Sequence, residues 1–218
     1  MAYPADDKYQ FTEPPEAGDW PDDVIISDDT RREDRIPPGQ SRTKKWPVLQ
    51  YGRIPVVSAE QWTLRVYGLV ENPLELDYAQ FLELPRVKVF ADFHCVTRWS
   101  RLGNLWEGVS FRSIMELAGV KAEARFVIVG GYDDGWTTNM PLADCLVDDV
   151  LVCDRHDGEP LSAAHGGPVR LIVPKLYAWK SAKWLRSITF VEHDQRGTWE
   201  QVGYHDRGDP WVEERMWV

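Results

Sequence analysis

The sequence has 218 residues and a formal net charge of −10 at pH 7. This length is enough for one large domain with a substantial core, and 43% hydrophobic with 28% charged residues is typical of a soluble globular protein. The acidic balance argues against non-specific binding to nucleic acid and to anionic membrane surfaces, since both need exposed positive charge.

Residues 1–45 are polar and rich in Pro and Asp, without a sustained hydrophobic period. This composition predicts an extended N-terminal arm that either wraps around the body of the protein or is partly disordered. The short apolar cluster at residues 24–26 is the part of the arm that could dock on the body. At Trp46 the character of the sequence changes, and residues 46–218 are predicted to form one domain.

Alternating and continuous apolar segments in this domain predict short strands. In chain order these segments are residues 62–68, 87–93, 126–129, 136–140, 150–153, 169–173 and 187–192. Loops are predicted at residues 102–104 and 130–135, and a hairpin turn at residues 157–158.

Helical signals are limited to short segments. Residues 77–84 have Asp77 as a possible N-cap, residues 110–118 begin at Ser110 and end before Gly119, and residues 141–145 could form one turn. Many short strands with few short helices predict a β-rich α+β fold, and they argue against a doubly wound parallel sheet.

The cysteine pattern argues against two kinds of site. Cys95, Cys145 and Cys153 are far apart and no two have the Cys-x-x-Cys spacing, so a zinc ribbon or a thioredoxin-like site is not supported. A small odd number of cysteines suits a reducing compartment. No apolar run approaches the roughly 20 residues that cross a bilayer, and the N-terminus lacks a signal-peptide pattern. We therefore expect a cytoplasmic protein without membrane insertion.

Cys95 stands in the most informative run of the chain, residues 92–100, which reads Asp-Phe-His-Cys-Val-Thr-Arg-Trp-Ser. It follows a predicted strand and has His94 and Arg98 close by in sequence. Positive neighbours lower the pKa of a thiol and favour the thiolate, which is the form that binds metals and attacks substrates. A buried, inert cysteine is the alternative, and the local sequence fits both.

Two further stretches contain residue types that bind anions. Residues 165–170 place two glycines and a proline between His165 and Arg170, so the backbone can approach a ligand and a guanidinium is available for a phosphate. Residues 174–184 carry three lysines in an otherwise acidic chain, and Ser181 and Lys183 could bind an anion together. Either stretch alone is also compatible with an ordinary surface loop.

The motifs that the chain lacks narrow the possible chemistry. Neither the Walker phosphate loop nor the Gly-x-Gly-x-x-Gly fingerprint is present, so ATP or dinucleotide binding by these loops is not supported. A thiol-dependent hydrolase or transferase would need a histidine partner for Cys95, and His165 is the candidate. A binding module without a cofactor is the third possibility.

Together, these stretches resemble the molybdopterin-binding domain of the sulfite oxidase family. The matching features, which run in order between about Trp46 and His193, are Cys95 followed by Val-Thr-Arg-Trp-Ser, Trp-Glu-Gly-Val at residues 106–109, residues 165–170, and Ser-Ala-Lys-Trp at residues 181–184. The chain is similar in particular to small bacterial members, including the catalytic subunit of the periplasmic methionine sulfoxide reductase. The resemblance implies mixed sheets and an oxidoreductase with molybdenum and molybdopterin. Such an enzyme transfers an oxygen atom to or from a small substrate such as a sulfoxide, an N-oxide or a sulfite-like molecule.

The resemblance also implies roles for individual residues. Cys95 is the thiolate ligand of molybdenum, and a soft thiolate suits that role. The other residues expected to bind the cofactor are Tyr51, Gly52, Arg53, His94, Gly130, His165, Arg170, Ser181, Ala182 and Lys183.

Some features depart from the family pattern. Trp136 stands roughly where sulfite oxidases have an active-site tyrosine, which argues against sulfite as the substrate. Arg98 is expected near the mouth of the pocket as a binder of an anion or oxo group, so the predicted catalytic residues are Cys95, Arg98 and Trp136. The family's cytochrome b5 domain and dimerisation domain have no counterpart. We therefore expect a monomer that uses a separate, unidentified electron donor or acceptor.

Overall fold

The structure is a computed structural model and describes residues 23–217. The strands are β1 (Val24–Ile26), β2 (Ser41–Arg42), β3 (Thr63–Gly68), β4 (Leu74–Asp77), β5 (Arg86–Cys95), β6 (Trp99–Ser110), β7 (Phe126–Gly131), β8 (Thr137–Pro141), β9 (Leu151–His156), β10 (Glu159–Pro160), β11 (Arg170–Ile172) and β12 (Leu185–Val191). The α-helices are α1 (Tyr78–Leu82), α2 (Phe111–Ala118) and α3 (Thr198–Gln201). Short 3₁₀ turns lie at Asp28–Arg31, Ala59–Gln61, Leu142–Cys145, Ala163–His165, Ala178–Lys180 and Pro210–Val212.

A seven-stranded sheet has the order β1-β5-β6-β9-β10, with β2 also paired to β6 and β11 also paired to β9. Its centre is the long antiparallel pair β5 and β6. The short strand β1 pairs with β5 and the short strand β2 pairs with β6, both in parallel. The apolar cluster at residues 24–26 therefore docks on the body as a strand. Residues 1–22 of the predicted arm lie outside the described residues, and the division of the chain at residue 45 stays a prediction.

The other sheet has five strands in the order β4-β3-β12-β7-β8. Here β3 and β12 are parallel, and the remaining pairs are antiparallel. Both sheets mix parallel and antiparallel pairs, so the predicted β-rich α+β fold with mixed sheets is confirmed.

Two apolar clusters form the core. The larger cluster joins inward side chains of both sheets to one face of α2, and the smaller one covers the other face of the seven-stranded sheet. The alternation of a strand explains this division. Along β9, Val152 belongs to the larger cluster, whereas Leu151 and Cys153 belong to the smaller one. The smaller cluster also packs against Trp46, which brings the segment that follows β2 onto the sheet.

The predicted helices are present with small changes in their bounds. Asp77 begins α1 with a capping box, since its carboxylate accepts from the backbone N–H of Gln80 at 2.8 Å and its own N–H donates to the Gln80 side chain at 2.9 Å. Gly119 ends α2 at a φ of 63°, while Ser110 precedes the helix without a capping side-chain bond. None of the helices in residues 23–217 is long and apolar enough to cross a membrane.

Two segments predicted as loops are in fact parts of strands. Residues 102–104 lie within β6, where Gly103 donates its backbone N–H to the buried Asp92 carboxylate at 2.8 Å. Gly130 and Gly131 end β7, and a Cβ at residue 131 would clash with Asp133 Oδ1. The glycines therefore mark close approaches within strands, which local composition does not distinguish from loops.

Candidate active site

A cavity of about 300 Å³ lies beside Cys95, the last residue of β5. Five parts of the chain form its wall: residues 46–51, the end of β5 with the turn after it, residues 133–136, residues 164–184 and the segment that follows β12. The predicted site residues that line it are Tyr51, Cys95, Trp136, His165, Arg170, Ser181, Ala182 and Lys183. The fold thus brings together residues that are far apart in sequence.

Cys95 is buried at the wall of this cavity. Its Sγ accepts a hydrogen bond from Thr97 Oγ1 at 3.2 Å, and its carbonyl accepts from the backbone N–H of Arg98 at 3.0 Å in a tight turn. Burial raises the pKa of the thiol, although the bond from Thr97 and the charge of Arg215 act in the opposite direction. The expected lowering of this pKa is therefore wrong for the cofactor-free protein, because desolvation outweighs the neighbouring groups.

The two sequence neighbours that were expected to supply charge do not line the cavity. His94 points to the other side of β5, is fully buried, and has its Nδ1 2.8 Å from Ser100 Oγ. Burial lowers the pKa of His94, which favours the neutral ring. Arg98 is exposed and donates to the carbonyl of Gly39 at 3.4 Å. The geometry thus does not support contact of His94 or Arg98 with a ligand in this cavity.

Arg170 is a buried cation at the cavity wall. Its guanidinium donates to the carbonyl of His165 at 2.7 Å and to that of Ser181 at 2.8 Å. Three aromatic rings lie 5.4 to 6.0 Å from the guanidinium carbon, those of Trp46, Phe93 and Trp106. Burial lowers the pKa of Arg170 to about 10, so the group stays cationic at neutral pH. No carboxylate in residues 23–217 forms an ion pair with it, which leaves its charge available for a bound anion.

His165 and Trp46 form a stacked pair beside Arg170. Their ring centroids are 3.8 Å apart, and His165 Nε2 lies 3.1 Å from the Trp46 carbonyl. His165 Nδ1 lies 3.0 Å from Ser162 Oγ. Both ring nitrogens are therefore engaged away from Cys95, whose sulfur has Thr97 as its partner. This arrangement does not hold His165 as a base for Cys95, so it gives the thiol-hydrolase alternative no support.

Lys183 and Asp133 are two further polar residues that line the cavity together with Arg170 and His165. Burial and the charge of Arg170 lower the pKa of Lys183 to about 7, and its Nζ donates to the Ala164 carbonyl at 3.3 Å. Burial raises the pKa of Asp133 to about 6, and its Oδ1 is buried without a hydrogen-bond partner among the described residues. We call Arg170, His165, Lys183 and Asp133 the polar side of the cavity. Sequence reasoning missed Asp133, which stands in the loop predicted at residues 130–135.

The remaining predicted residues lie next to the cavity rather than in it. Gly52 and Arg53 line a smaller cavity of about 110 Å³, to which Tyr51, Asp133 and Trp136 also contribute. Gly130 lines a separate groove on the five-stranded sheet. The structure thus places Tyr51 and Trp136 at both cavities, but it does not bring Gly130 to Cys95.

Three aromatic residues that sequence reasoning missed complete the wall. The Tyr204 ring lies 5.2 Å from that of Trp179 and 5.1 Å from that of Trp199. Tyr51 packs edge-on against Trp199 at 5.5 Å. We call Trp179, Trp199 and Tyr204 the aromatic side of the cavity. The signal for Trp179 and Trp199 in the sequence was only the high content of 11 Trp, which does not distinguish a core from a pocket.

Comparison with known proteins identifies the family. Residues 51–199 match the model of the oxidoreductase molybdopterin binding domain. The chain belongs to this molybdopterin-binding family. Because the match covers more than half of the chain and includes Cys95 and residues 165–184, the resemblance to sulfite oxidases is confirmed, as are the cofactors molybdenum and molybdopterin.

Individual relatives agree with this assignment. The uncharacterized oxidoreductase YuiH of Bacillus subtilis is 48% identical over 191 residues, which are 86% of this chain and 96% of the relative. The protein-methionine-sulfoxide reductase catalytic subunit MsrP of Campylobacter jejuni is 24% identical over 73% of this chain and 61% of its own length. The crystal structure of the sulfane dehydrogenase SoxCD from Paracoccus pantotrophus matches with a TM-score of 0.60 and 25% identity, over 64% of this chain and 40% of that chain. The protein is thus a molybdopterin-dependent oxidoreductase.

The residues of the cavity fit such a cofactor. A thiol suits a soft metal, a buried guanidinium without a counter-charge suits a phosphate, and an unpartnered carboxylate oxygen suits an N–H donor of a pterin. Cys95, Arg170 and Asp133 supply these three groups around one cavity. The individual roles of Cys95 and Arg170 stay predictions.

Proposed function

We propose that this oxidoreductase reduces an organic sulfoxide to the corresponding sulfide. In that reaction the S=O bond is broken, two electrons and two protons are consumed, and the oxygen leaves as water. The electrons come from a separate donor. The proposal is supported by the two MsrP relatives, from Campylobacter jejuni and Gluconobacter oxydans, whose names state protein-methionine-sulfoxide reduction.

The observation that carries the proposal is the lining of the cavity, which combines buried cations with a cluster of three further aromatic rings. The cations Arg170 and Lys183 belong to the polar side. The Arg170 guanidinium lies over the Trp46 ring, and Lys183 Nζ lies over the Trp184 ring and donates to the Ala164 carbonyl. The aromatic side presents rings and one phenol hydroxyl. A wall of rings with a single hydroxyl suits a neutral organic group with a polar oxygen better than a small anion such as sulfite, because an anion needs an opposing charge.

The polar side accounts for how the cofactor would be held. Arg170 and Lys183 would bind the phosphate through charge-assisted hydrogen bonds, and Asp133 would accept from the pterin. An anion beside Lys183 also raises the pKa of that amine, so it would stay protonated when the phosphate is present. Ala182 would contribute its backbone to the same contact, whereas the N–H and the carbonyl of Ser181 are already bonded to Ala178 and Arg170.

Cys95 would hold the metal as a thiolate. Once bound, the cofactor supplies the two-electron chemistry, and the protein supplies binding, orientation and exclusion of water. The rings of the aromatic side would leave little room for water in the cavity that Cys95 also lines, which favours an organic substrate there. Trp136 is 8% exposed and closes the wall beside Asp133.

The test is expression in a host that makes molybdopterin, with Cys95→Ser compared to Cys153→Ser. Wild type is expected to contain near-stoichiometric molybdenum, to show a thiolate-to-metal absorption band, and to reduce methyl phenyl sulfoxide with a reduced viologen dye as donor. Cys95→Ser should lose the band and turnover while keeping its fold, since the change of volume is small. Cys153→Ser should keep both, because Cys153 lies in the core and its Sγ already donates to the Arg155 carbonyl at 3.0 Å.

Two results would count against this function. Full turnover in Cys95→Ser would remove the thiolate from the mechanism. A molybdenum-loaded wild type that oxidises sulfite but leaves sulfoxides untouched would replace the proposed substrate. The expected cytoplasmic location and monomeric state stay predictions, which cell fractionation and sedimentation can check.

A further inference from the structure

We propose that Tyr204 is a substrate-binding residue whose hydroxyl group donates a hydrogen bond to the oxygen atom of the substrate. This inference rests on the proposed sulfoxide reduction and deepens it, because it assigns recognition of the oxygen that is removed. Tyr204 lies outside residues 51–199, the region that matches the family model. The match to the family model therefore says nothing about this residue.

The position of the Tyr204 hydroxyl is the first argument. Tyr204 lines the same cavity as Cys95 and is half-buried. Its hydroxyl makes no hydrogen bond to any of the residues that the structure describes. Burial and the charge of a Cys95 thiolate both raise the pKa of Tyr204, which keeps the phenol protonated. A protonated, unpartnered phenol facing a cavity is a ready donor.

The rigidity of the ring is the second argument. Trp179 packs edge-on against Tyr204 and Trp199 packs at a tilt, at 5.2 and 5.1 Å. The backbone N–H of Tyr204 donates to the Trp199 carbonyl at 3.0 Å, and Tyr204 pairs with Met216 in an antiparallel bridge. A binding residue fixed in this way loses little conformational entropy when it contacts a substrate.

The anchor of the segment is the third argument. Glu200 is 1% exposed, and its Oε1 accepts from Lys180 Nζ at 2.6 Å, from Trp179 Nε1 at 2.9 Å and from Thr138 Oγ1 at 2.8 Å. This buried ion pair ties the segment that carries Tyr204 to the wall that carries Trp179. Because the indole N–H of Trp179 is already engaged, it does not compete with the Tyr204 hydroxyl for the substrate.

The test measures binding without turnover, in oxidised holoenzyme with no electron donor. Quenching of tryptophan fluorescence gives Kd for methyl phenyl sulfoxide, for methyl phenyl sulfide, which lacks the oxygen, and for sulfate, an oxyanion that cannot donate electrons to the oxidised enzyme. Tyr204→Phe removes the hydroxyl and keeps the ring, so molybdenum content and melting temperature should not change. Tyr67→Phe is the matched control, because Tyr67 is exposed on the five-stranded sheet and does not line this cavity.

We expect Tyr204→Phe to weaken sulfoxide binding about fivefold to tenfold, the usual value of one hydrogen bond, and to leave sulfide binding unchanged. Equal Kd values in wild type and Tyr204→Phe for every oxygen-bearing probe would overturn the proposal. If binding of sulfate rather than of the sulfoxide depends on the hydroxyl, Tyr204 keeps its role and the sulfoxide assignment falls. A fully loaded wild type that binds neither oxygen-bearing probe contradicts both proposals.

Discussion

Replacing Lys180 by Met should destabilise the protein more than any single exposed substitution. Lys180 is fully buried, and its Nζ donates at 2.6 Å to each of Glu200 Oε1, the Asn139 carbonyl and the Asp206 carbonyl. Met fills a similar volume but leaves the Glu200 charge and two carbonyls without this donor. Breaking a buried ion pair on one side typically costs about 3 to 5 kcal/mol. The Glu200 carboxylate keeps two other donors, Trp179 and Thr138, so we expect the lower end of that range.

Urea unfolding of the cofactor-free protein, followed by tryptophan fluorescence, measures this loss. With an m-value of about 2 to 3 kcal/mol/M, a loss near 3 kcal/mol moves the midpoint by about 1 to 1.5 M. Lys121→Met is the control, because Lys121 and Glu71 form an exposed pair at 3.6 Å, and such pairs contribute less than about 1 kcal/mol. The double variant Lys180→Met/Glu200→Leu should recover part of the loss, since it removes both charges.

Two outcomes would refute this reasoning. Equal midpoints for Lys180→Met and Lys121→Met would show that the buried pair contributes no more than an exposed one. A double variant that is less stable than Lys180→Met would show that the isolated Glu200 charge is not the source of the cost. Either result would also weaken the view that the pair anchors the segment around Tyr204.

Two further predictions concern the polar side. Arg170→Met should lower the molybdenum and pterin content of purified protein at least tenfold, because the phosphate then lacks its buried cationic partner. A factor of ten corresponds to roughly 1.4 kcal/mol of binding free energy. A molybdenum and pterin content equal to that of the control Arg155→Met would contradict the phosphate role of Arg170. For Lys183, the folded pKa of about 7 lies below the unfolded value, so the unfolded chain binds more protons between pH 7 and about 10. The stability of cofactor-free protein should therefore rise with pH through this range, and Lys183→Met should reduce the slope. Parallel melting curves against pH for the two proteins would contradict the buried amine.

Much of the fold could be predicted because its signals are local. Alternation along residues 62–68 and 187–192 indicates strands that pair in the five-stranded sheet, and the Asp77 and Gly119 caps indicate helix ends. Residues 102–104 could not be assigned in this way. Their place in β6 depends on Asp92, which lies on the neighbouring strand and accepts the Gly103 N–H. Pairing between distant segments overrides the turn preference of a Gly-Asn step.

The residues of the candidate site likewise fall into those with a local sequence signal and those that only contacts between distant segments bring to the cavity. Cys95, His165, Arg170 and residues 181–183 were predicted, since they stand in runs whose composition is unusual. Arg98 was assigned to the cavity by proximity in sequence, but the turn after β5 gives it a φ of 73° and the side chain is exposed. Tyr204 and Asp133 carry no local signal. Tyr204 reaches the cavity because the segment after β12 lines it together with Cys95, and Asp133 reaches it beside Gly131 at the end of β7.

The turn that begins at Cys95 accepts hydrogen bonds from a residue that precedes it and from a residue that follows it in the sequence. Gln40 donates to the Cys95 carbonyl at 3.0 Å, and Arg215 donates to the Val96 carbonyl at 2.6 Å. These two bonds reach the carbonyls of consecutive residues from positions 55 and 119 residues away in the sequence. A substitution at Gln40 or Arg215 should therefore shift the direction in which the Cys95 sulfur points, although neither side chain contacts that sulfur.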